Sequence, residues 1–214
     1  ESQQQTYLPA FTQMGRDLGV GSTALQQVVS VYLISFAAMS LFHGPLSDAV
    51  GRKPVMVTGA AVYTLASIGA ALAPSLSVLL LCRALQGMSA GAGTIVSRTV
   101  VRDLFEGAQA QRLMSVIAMI FGIGPAVAPI IGGWLLTLGP WPTVFWFLAL
   151  FGAFIALSVL ILLPESHPPK RRTPLRLDAL LHNILAAARD RWFLVLTGAN
   201  AFSFAAQFLY IAGA

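Results

Sequence analysis

The sequence predicts an all-α polytopic membrane protein, and three observations carry that prediction. Of 214 residues, 57% are hydrophobic and only 10% charged, whereas a soluble domain uses about 25% charged residues to wet its surface. Several runs near the ~20 residues that cross a bilayer as a helix contain no charge. The charges that do occur fall in short stretches between those runs, where Lys and Arg set membrane orientation. The net charge of +5 therefore speaks for topology and against nucleic-acid binding, since no basic stripe with interleaved aromatics is present. Cys82 is the single cysteine, which excludes an internal disulfide, and its apolar surroundings make it a small buried hydrophobe.

The elements follow in chain order. "ESQQQTYLPAF" reads as the outer end of a helix whose apolar body would precede Glu1. The chain starts without Met and is still apolar at Ala214, so it reads as a piece of a longer protein. A short loop, "TQMGRDLGVGS", is expected next, with Ser22 or Thr23 capping the following helix. Complete spans are expected at 24–43, 55–73, 76–97, 113–138 and 143–163. "LAPSLS" at 72–77 and "LGPWPT" at 138–143 read as tight turns, because Pro and Gly punctuate helices.

Residues 44–54, 98–112 and 164–191 are the expected loops of one face. They hold Arg52, Lys53, Arg98, Arg102, Arg112, Lys170, Arg171, Arg172, Arg176, Arg189 and Arg191, leaving Arg16 on the other face and Arg83 within a span. By the positive-inside rule the loop-rich face is cytoplasmic. Within 164–191, "TPLRLDALLHNILAAARD" reads as an amphipathic helix with Thr173 as N-cap and Pro174 in its first turn. Leu177, Leu180, Leu181, Ile184, Leu185 and Ala188 share one face at helical spacing, as in a helix lying on the membrane surface. The expected domains are a bundle at 1–163 with an incomplete first helix, a cytoplasmic linker at 164–191, and the start of a second membrane half at 192–214.

Three constellations stand out. The stretch 44–54 contains Gly44, Leu46, Asp48, Gly51, Arg52 and Lys53 in the pattern G-x-L-x-D-x-x-G-R-K. Glycine suits a tight turn between antiparallel helices, yet a topology-setting loop does not require the Gly-x-Leu or an Asp ahead of the cations. His43 beside it is expected at the membrane interface. Further on, "CRALQGMSAGAG" places Arg83, Gln86 and Gly87 inside a span. A cation at mid-span costs on the order of 2.5–3.5 kcal/mol, so Arg83 either snorkels to the outer surface or faces the protein interior. "FGIGPAVAPIIGGWL" sets prolines and glycines in mid-span, which bend a helix and let neighbours approach closely.

These motifs, in this order, resemble the major facilitator superfamily. The stretch 44–54 has the form of its signature loop between helices 2 and 3, with Ala49 where an Arg often stands. The R-x-x-Q-G of Arg83 to Gly87 resembles a helix 4 motif of proton-driven members, which implies that Arg83 faces the central cavity and assists proton movement. Gly124, Pro129, Gly132 and Gly133 resemble the helix 5 motif of antiporters, with Ala128 replacing a Gly. "TYLPAF" with Tyr7, "VRDLFEG" and "LPES" extend the likeness to the bicyclomycin and chloramphenicol resistance branch of drug–proton antiporters.

The resemblance implies the six-helix N-terminal half of a twelve-helix transporter and the start of helix 7. It further implies a place in the bacterial inner membrane and a second half of the same transporter as partner. Small, largely apolar drugs would be exported in exchange for protons, without a cofactor. Asp48 would latch onto helix 11 of that second half, and Arg52 would pair with Asp103 after helix 4. In that branch an Asp precedes the Y-L-P element, and the matching position here is Gln5, which cannot titrate. Glu1, one turn earlier on the same helical face, is then the expected proton carrier. A sugar or metabolite uniporter or symporter is disfavoured by the helix 5 motif. An enzyme or receptor is disfavoured because no zinc spacing, P-loop, nucleotide fingerprint or hydrolytic cluster is visible.

Overall fold

The computed structural model describes residues 9–175, 177–199 and 201–202. The main elements among them are α1 (Pro9–Leu18), α2 (Ser22–Val50), α3 (Arg52–Ala71), α4 (Leu76–Leu104), α5 (Gly107–Leu138), α6 (Pro142–Leu162), a 3₁₀ turn (Pro169–Arg171) and α7 (Leu177–Arg189). No strand occurs among the described residues. Four helices are long and apolar enough to cross a membrane: Thr23–Val50, Arg52–Ala71, Leu76–Leu104 and Pro142–Leu162. The two parts of α5, Gly107–Gly124 and Ala126–Leu138, make a fifth when taken together, bent by 48°. Prolines in the run remove backbone donors, which is a sufficient cause of the bend.

The helices overrun the membrane boundaries that hydropathy suggests. The expected loop 44–54 is helical except at one residue: α2 carries Gly44 and Pro45 and ends at Val50, Gly51 turns the chain, and α3 starts at Arg52. Gly51 has φ +113°, and a Cβ there would sit 2.6 Å from Glu165 Oε2 and 2.8 Å from Arg172 Nη2, so only glycine fits. Likewise 98–112 is not a loop, because α4 runs to Leu104 and α5 starts at Gly107. Charged side chains are good helix formers, so hydropathy marks the membrane edge and not the helix end. The first expected loop is also shortened, since α1 continues to Leu18. Gly21 is the N-cap of α2 with no side-chain cap, so neither Ser22 nor Thr23 fills that role. The turns at 72–77 and 138–143 are turns, and Ser75 caps α4 by accepting from the Val78 N–H at 3.5 Å.

Within Glu1–Thr173, which forms one compact unit, α4 is the central post. It lies along α2 and α3, and α3 in turn lies along α6. Small residues set these distances. A Cβ on Gly87 would strike the Tyr32 carbonyl and sit 3.1 Å from Phe36 N, and one on Gly91 would sit 3.0 Å from the His43 ring. His43 is therefore buried where α2 meets α4, and its Nδ1–H donates to the Met39 carbonyl at 2.8 Å. At the opposite end from the α2–α3 turn, Met14, Leu25, Val28, Leu79, Cys82, Trp141 and Phe145 form a core. There Trp141 Nε1–H donates to Asp17 Oδ2 at 2.8 Å and Trp141 N–H to Gln13 Oε1 at 3.2 Å, which ties α1 to the α5–α6 turn. α6 exposes Leu150, Phe154, Leu157 and Ile161, an outward face suited to hydrocarbon.

Pro174–Ala214 forms a second compact unit. Thr173 and Pro174 lie outside α7, which begins at Leu177, so the expected cap and first turn are displaced. Asp190 then starts a further helical stretch at 191–199, its Oδ1 accepting from Trp192 N–H at 2.8 Å and Phe193 N–H at 3.1 Å.

Candidate functional site

The α2–α3 turn is built around one buried cation. Arg52, the first residue of α3, is 4% exposed. Its Nε–H donates to Asp103 Oδ2 at 3.0 Å, and its Nη1 reaches Ser47 Oγ at 2.6 Å and Asp48 Oδ1 at 2.5 Å. Gly51 makes this possible: its turn puts Arg52 one helical turn beyond Asp48 but at the head of a new helix. The backbone N–H of Arg52, an orphan donor at that helix start, donates to Glu165 Oε1 at 3.0 Å. Glu165 also accepts from His167 N–H at 2.9 Å, Ser166 Oγ donates to Asp103 at 3.2 Å, and Thr173 N–H donates to the Asp48 carbonyl at 3.2 Å. The segment after α6 thus straps over the turn. A buried guanidinium is tolerable because its charge is paired. The arrangement welds α2, α3, α4 and the strap into one rigid corner. Asp48 keeps 44% of its side chain exposed and has acceptor capacity to spare. Lys53 is half-buried and outside this set of contacts, and Gly44 lies in α2 with open space around it.

The second constellation lies deep in the spans. Arg83 does not snorkel outward. Its Nε–H donates to the Val28 carbonyl at 3.2 Å, its Nη1–H donates to Gln86 Oε1 at 2.9 Å, and its guanidinium carbon lies 4.3 Å from the centroid of the Tyr32 ring. Gln86, 0% exposed, donates from Nε2 to Ser67 Oγ at 2.7 Å, and Ser67 donates to the Tyr63 carbonyl at 2.7 Å. Among the described residues every partner of Arg83 is neutral and no carboxylate pairs with it. Tyr32 and Tyr63 also line a cavity of about 530 Å³ whose other walls include Met56, Phe121, Leu148 and Phe151.

The third constellation is open. A Cβ added at Gly124, Gly132 or Gly133 would meet nothing within 4 Å, and α5 touches α4 and α6 only lightly. Pro129 lies in the same exposed stretch. Glu1, Gln5 and Tyr7 lie outside the described residues. Of the sequence-derived candidates the structure joins Asp48, Arg52 and Asp103 in one contact set and Arg83 with Gln86 in another. Sequence reasoning missed Ser47, Ser67, Tyr32 and Asp17, and it saw Glu165 and Ser166 only as part of the "LPES" likeness. Except for Ser47, five residues from Arg52, their partners are distant in sequence (113 residues for Arg52 and Glu165), so no local spacing flags them.

This geometry defines a multi-pass helical membrane protein with an ion-paired turn at one end and a cation, Arg83, held by neutral partners within α4. The sequence profile of the Major Facilitator Superfamily matches residues 3–213, and the chain belongs to that family. It is 39% identical over 165 residues to Multidrug resistance protein D of Escherichia coli, covering 77% of this chain and 42% of that protein. It is 32% identical over 205 residues to a Bicyclomycin resistance protein homolog of Haemophilus influenzae, covering 96% and 52%. The chain thus spans about half the length of these curated relatives. Among solved structures, the human organic anion transporter MFSD10 superposes with a TM-score of 0.61 at 24% identity, covering 86% of this chain and 46% of that one. That likeness concerns the fold.

Proposed function

We propose that this chain is the N-terminal half of a secondary transporter of the bacterial inner membrane that exports small, largely apolar drugs in exchange for protons by alternating access. The observation that carries the proposal is Arg83, a cation held deep in a span by neutral partners. A guanidinium stays charged at any working pH, so it lowers the cost of a carboxylate ionising nearby. Glu1 is the group that supplies the coupling proton in this reading, and the names of the resistance relatives supply the drug class.

The α2–α3 corner is the cytoplasmic latch of the two halves. Asp48 uses its exposed side to engage the positive N-terminus of a helix in the second half, at about 0.3–1 kcal/mol, while Arg52 and Asp103 hold it in register. That is enough to matter, because ~1.4 kcal/mol shifts a two-state equilibrium tenfold. Gly124, Pro129, Gly132 and Gly133 form the second contact, a shallow face against which a helix of the other half packs.

The test is drug efflux from energised membranes carrying the intact transporter, with and without a proton uncoupler, across a panel of apolar antibiotics. Extrusion that collapses with the uncoupler is expected; uncoupler-insensitive movement, or none, overturns the reading. Glu1→Gln should abolish the coupling. Asp48→Asn should cut transport and shift spin-label distances across the cytoplasmic face toward the inward-open state.

A further inference from the structure

We propose that Ser67, on α3, is a positioning residue for Arg83, acting through Gln86 as a one-way hydrogen-bond chain. The inference rests on the transport reading above for its functional consequence and on geometry for its direction. Ser67 has one hydroxyl proton. The Tyr63 carbonyl can only accept, and it lies 2.7 Å from Ser67 Oγ, so the proton is used there. Oγ is then left as an acceptor toward Gln86. An amide's nitrogen and oxygen look alike in most structures and are assigned from their partners. Here the partners settle the matter from both ends. Ser67 requires the NH₂ group of Gln86, and Arg83, which has donors only, requires its oxygen. With Gln86 and Ser67 both 0% exposed, water cannot substitute for either.

The result is a side-chain amide locked so that its oxygen faces the guanidinium. Arg83 is held on its other sides by the Val28 carbonyl and the Tyr32 ring. The Gln86 oxygen is the one side-chain hydrogen-bond acceptor of the guanidinium among the described residues. Without the Ser67 acceptor, the buried NH₂ group of Gln86 is left unsatisfied. The amide then turns to find another acceptor, and its oxygen is withdrawn from Arg83.

The experiment is a cycle in the intact transporter: Ser67→Ala, Gln86→Met, the double variant, and Ser67→Thr, which keeps the hydroxyl. Size exclusion and thermal unfolding establish that each variant folds. Proton-driven turnover should fall about tenfold in each single variant, the size expected for one buried partner removed, with drug affinity unchanged. The double variant should fall about tenfold as well, because residues of one chain act non-additively. Ser67→Thr should restore turnover.

Independently of transport, the Arg83 Nε–H resonance, identified by its loss in Arg83→Lys, should move in Ser67→Ala and return in Ser67→Thr. An unmoved resonance, or single losses that multiply in the double variant, overturns the positioning role. A wild-type protein that moves drugs regardless of the uncoupler overturns the transport reading instead, and the resonance still decides the geometry.

Discussion

Helices α4 and α5 carry nearly the same kind of sequence and do opposite things with it. Both are rich in glycine and alanine, and both are long enough to span a bilayer. In α4 two of the three glycines are filled: Gly87 lies against the backbone of Tyr32 and Phe36, and Gly91 lies against His43, while Gly93 is open. In α5 the motif glycines face open space. The α4 surface lets two helices of the same bundle come within backbone contact, and this close approach carries Arg83 to the Val28 carbonyl of α2. The α5 surface has no such occupant among the described residues. A small-residue face therefore specifies that something can come close; it does not specify what.

Mutations can sharpen that contrast. Gly87→Ala should have the largest effect, because its Cβ meets backbone atoms that cannot rotate away. A loss on the order of 3 kcal/mol in detergent unfolding is expected, the upper range for overpacking. Arg52→Ala comes next, at about 1.5–3 kcal/mol for charged hydrogen bonds lost at a buried site, visible as a lower midpoint in the same assay. Arg52→Lys should recover only part of it, since an ammonium cannot reach Ser47, Asp48 and Asp103 with a planar fork.

Gly132→Ala should go the other way, stabilising by about 0.5–1 kcal/mol because the helix gains and nothing is struck. A destabilised Gly132→Ala would show that α5 is as tightly enclosed as α4. Gly132→Leu in the intact transporter should leave protein abundance near normal and reduce drug export; full export would remove the proposed contact with the second half. The smallest effect on the fold belongs to Asp48→Asn, about 0–1 kcal/mol for a half-exposed pair. Chevron or melting data that resolve a larger loss would show that Asp48 supports the corner more than it serves the latch.

The sequence by itself determined the class, the spans and the order of the motifs. Length and hydropathy are local quantities, and a bilayer reads them locally: a continuous uncharged run such as 143–163 becomes a membrane helix, because only a helix satisfies its backbone in hydrocarbon within a single segment. The turns at 72–77 and 138–143 were legible for the same reason, since proline and glycine act on their own backbone. The pairing of Arg52 with Asp103 came from a family likeness rather than from spacing, and the structure places the two at 3.0 Å.

Tertiary structure alone decided the rest. Hydropathy put a loop at 44–54, but nothing in Gly44 or Pro45 ends a helix that its neighbours hold; Gly51 does, where a positive φ and the closeness of Glu165 and Arg172 leave room for hydrogen only. Arg83 had two possible directions on paper. The choice belonged to Ser67, Gln86 and the Val28 carbonyl, which stand on three different helices and meet only when α2, α3 and α4 pack. A hydrogen bond forms at about 3 Å regardless of how far apart its partners lie in the chain, and local pattern has no access to that distance.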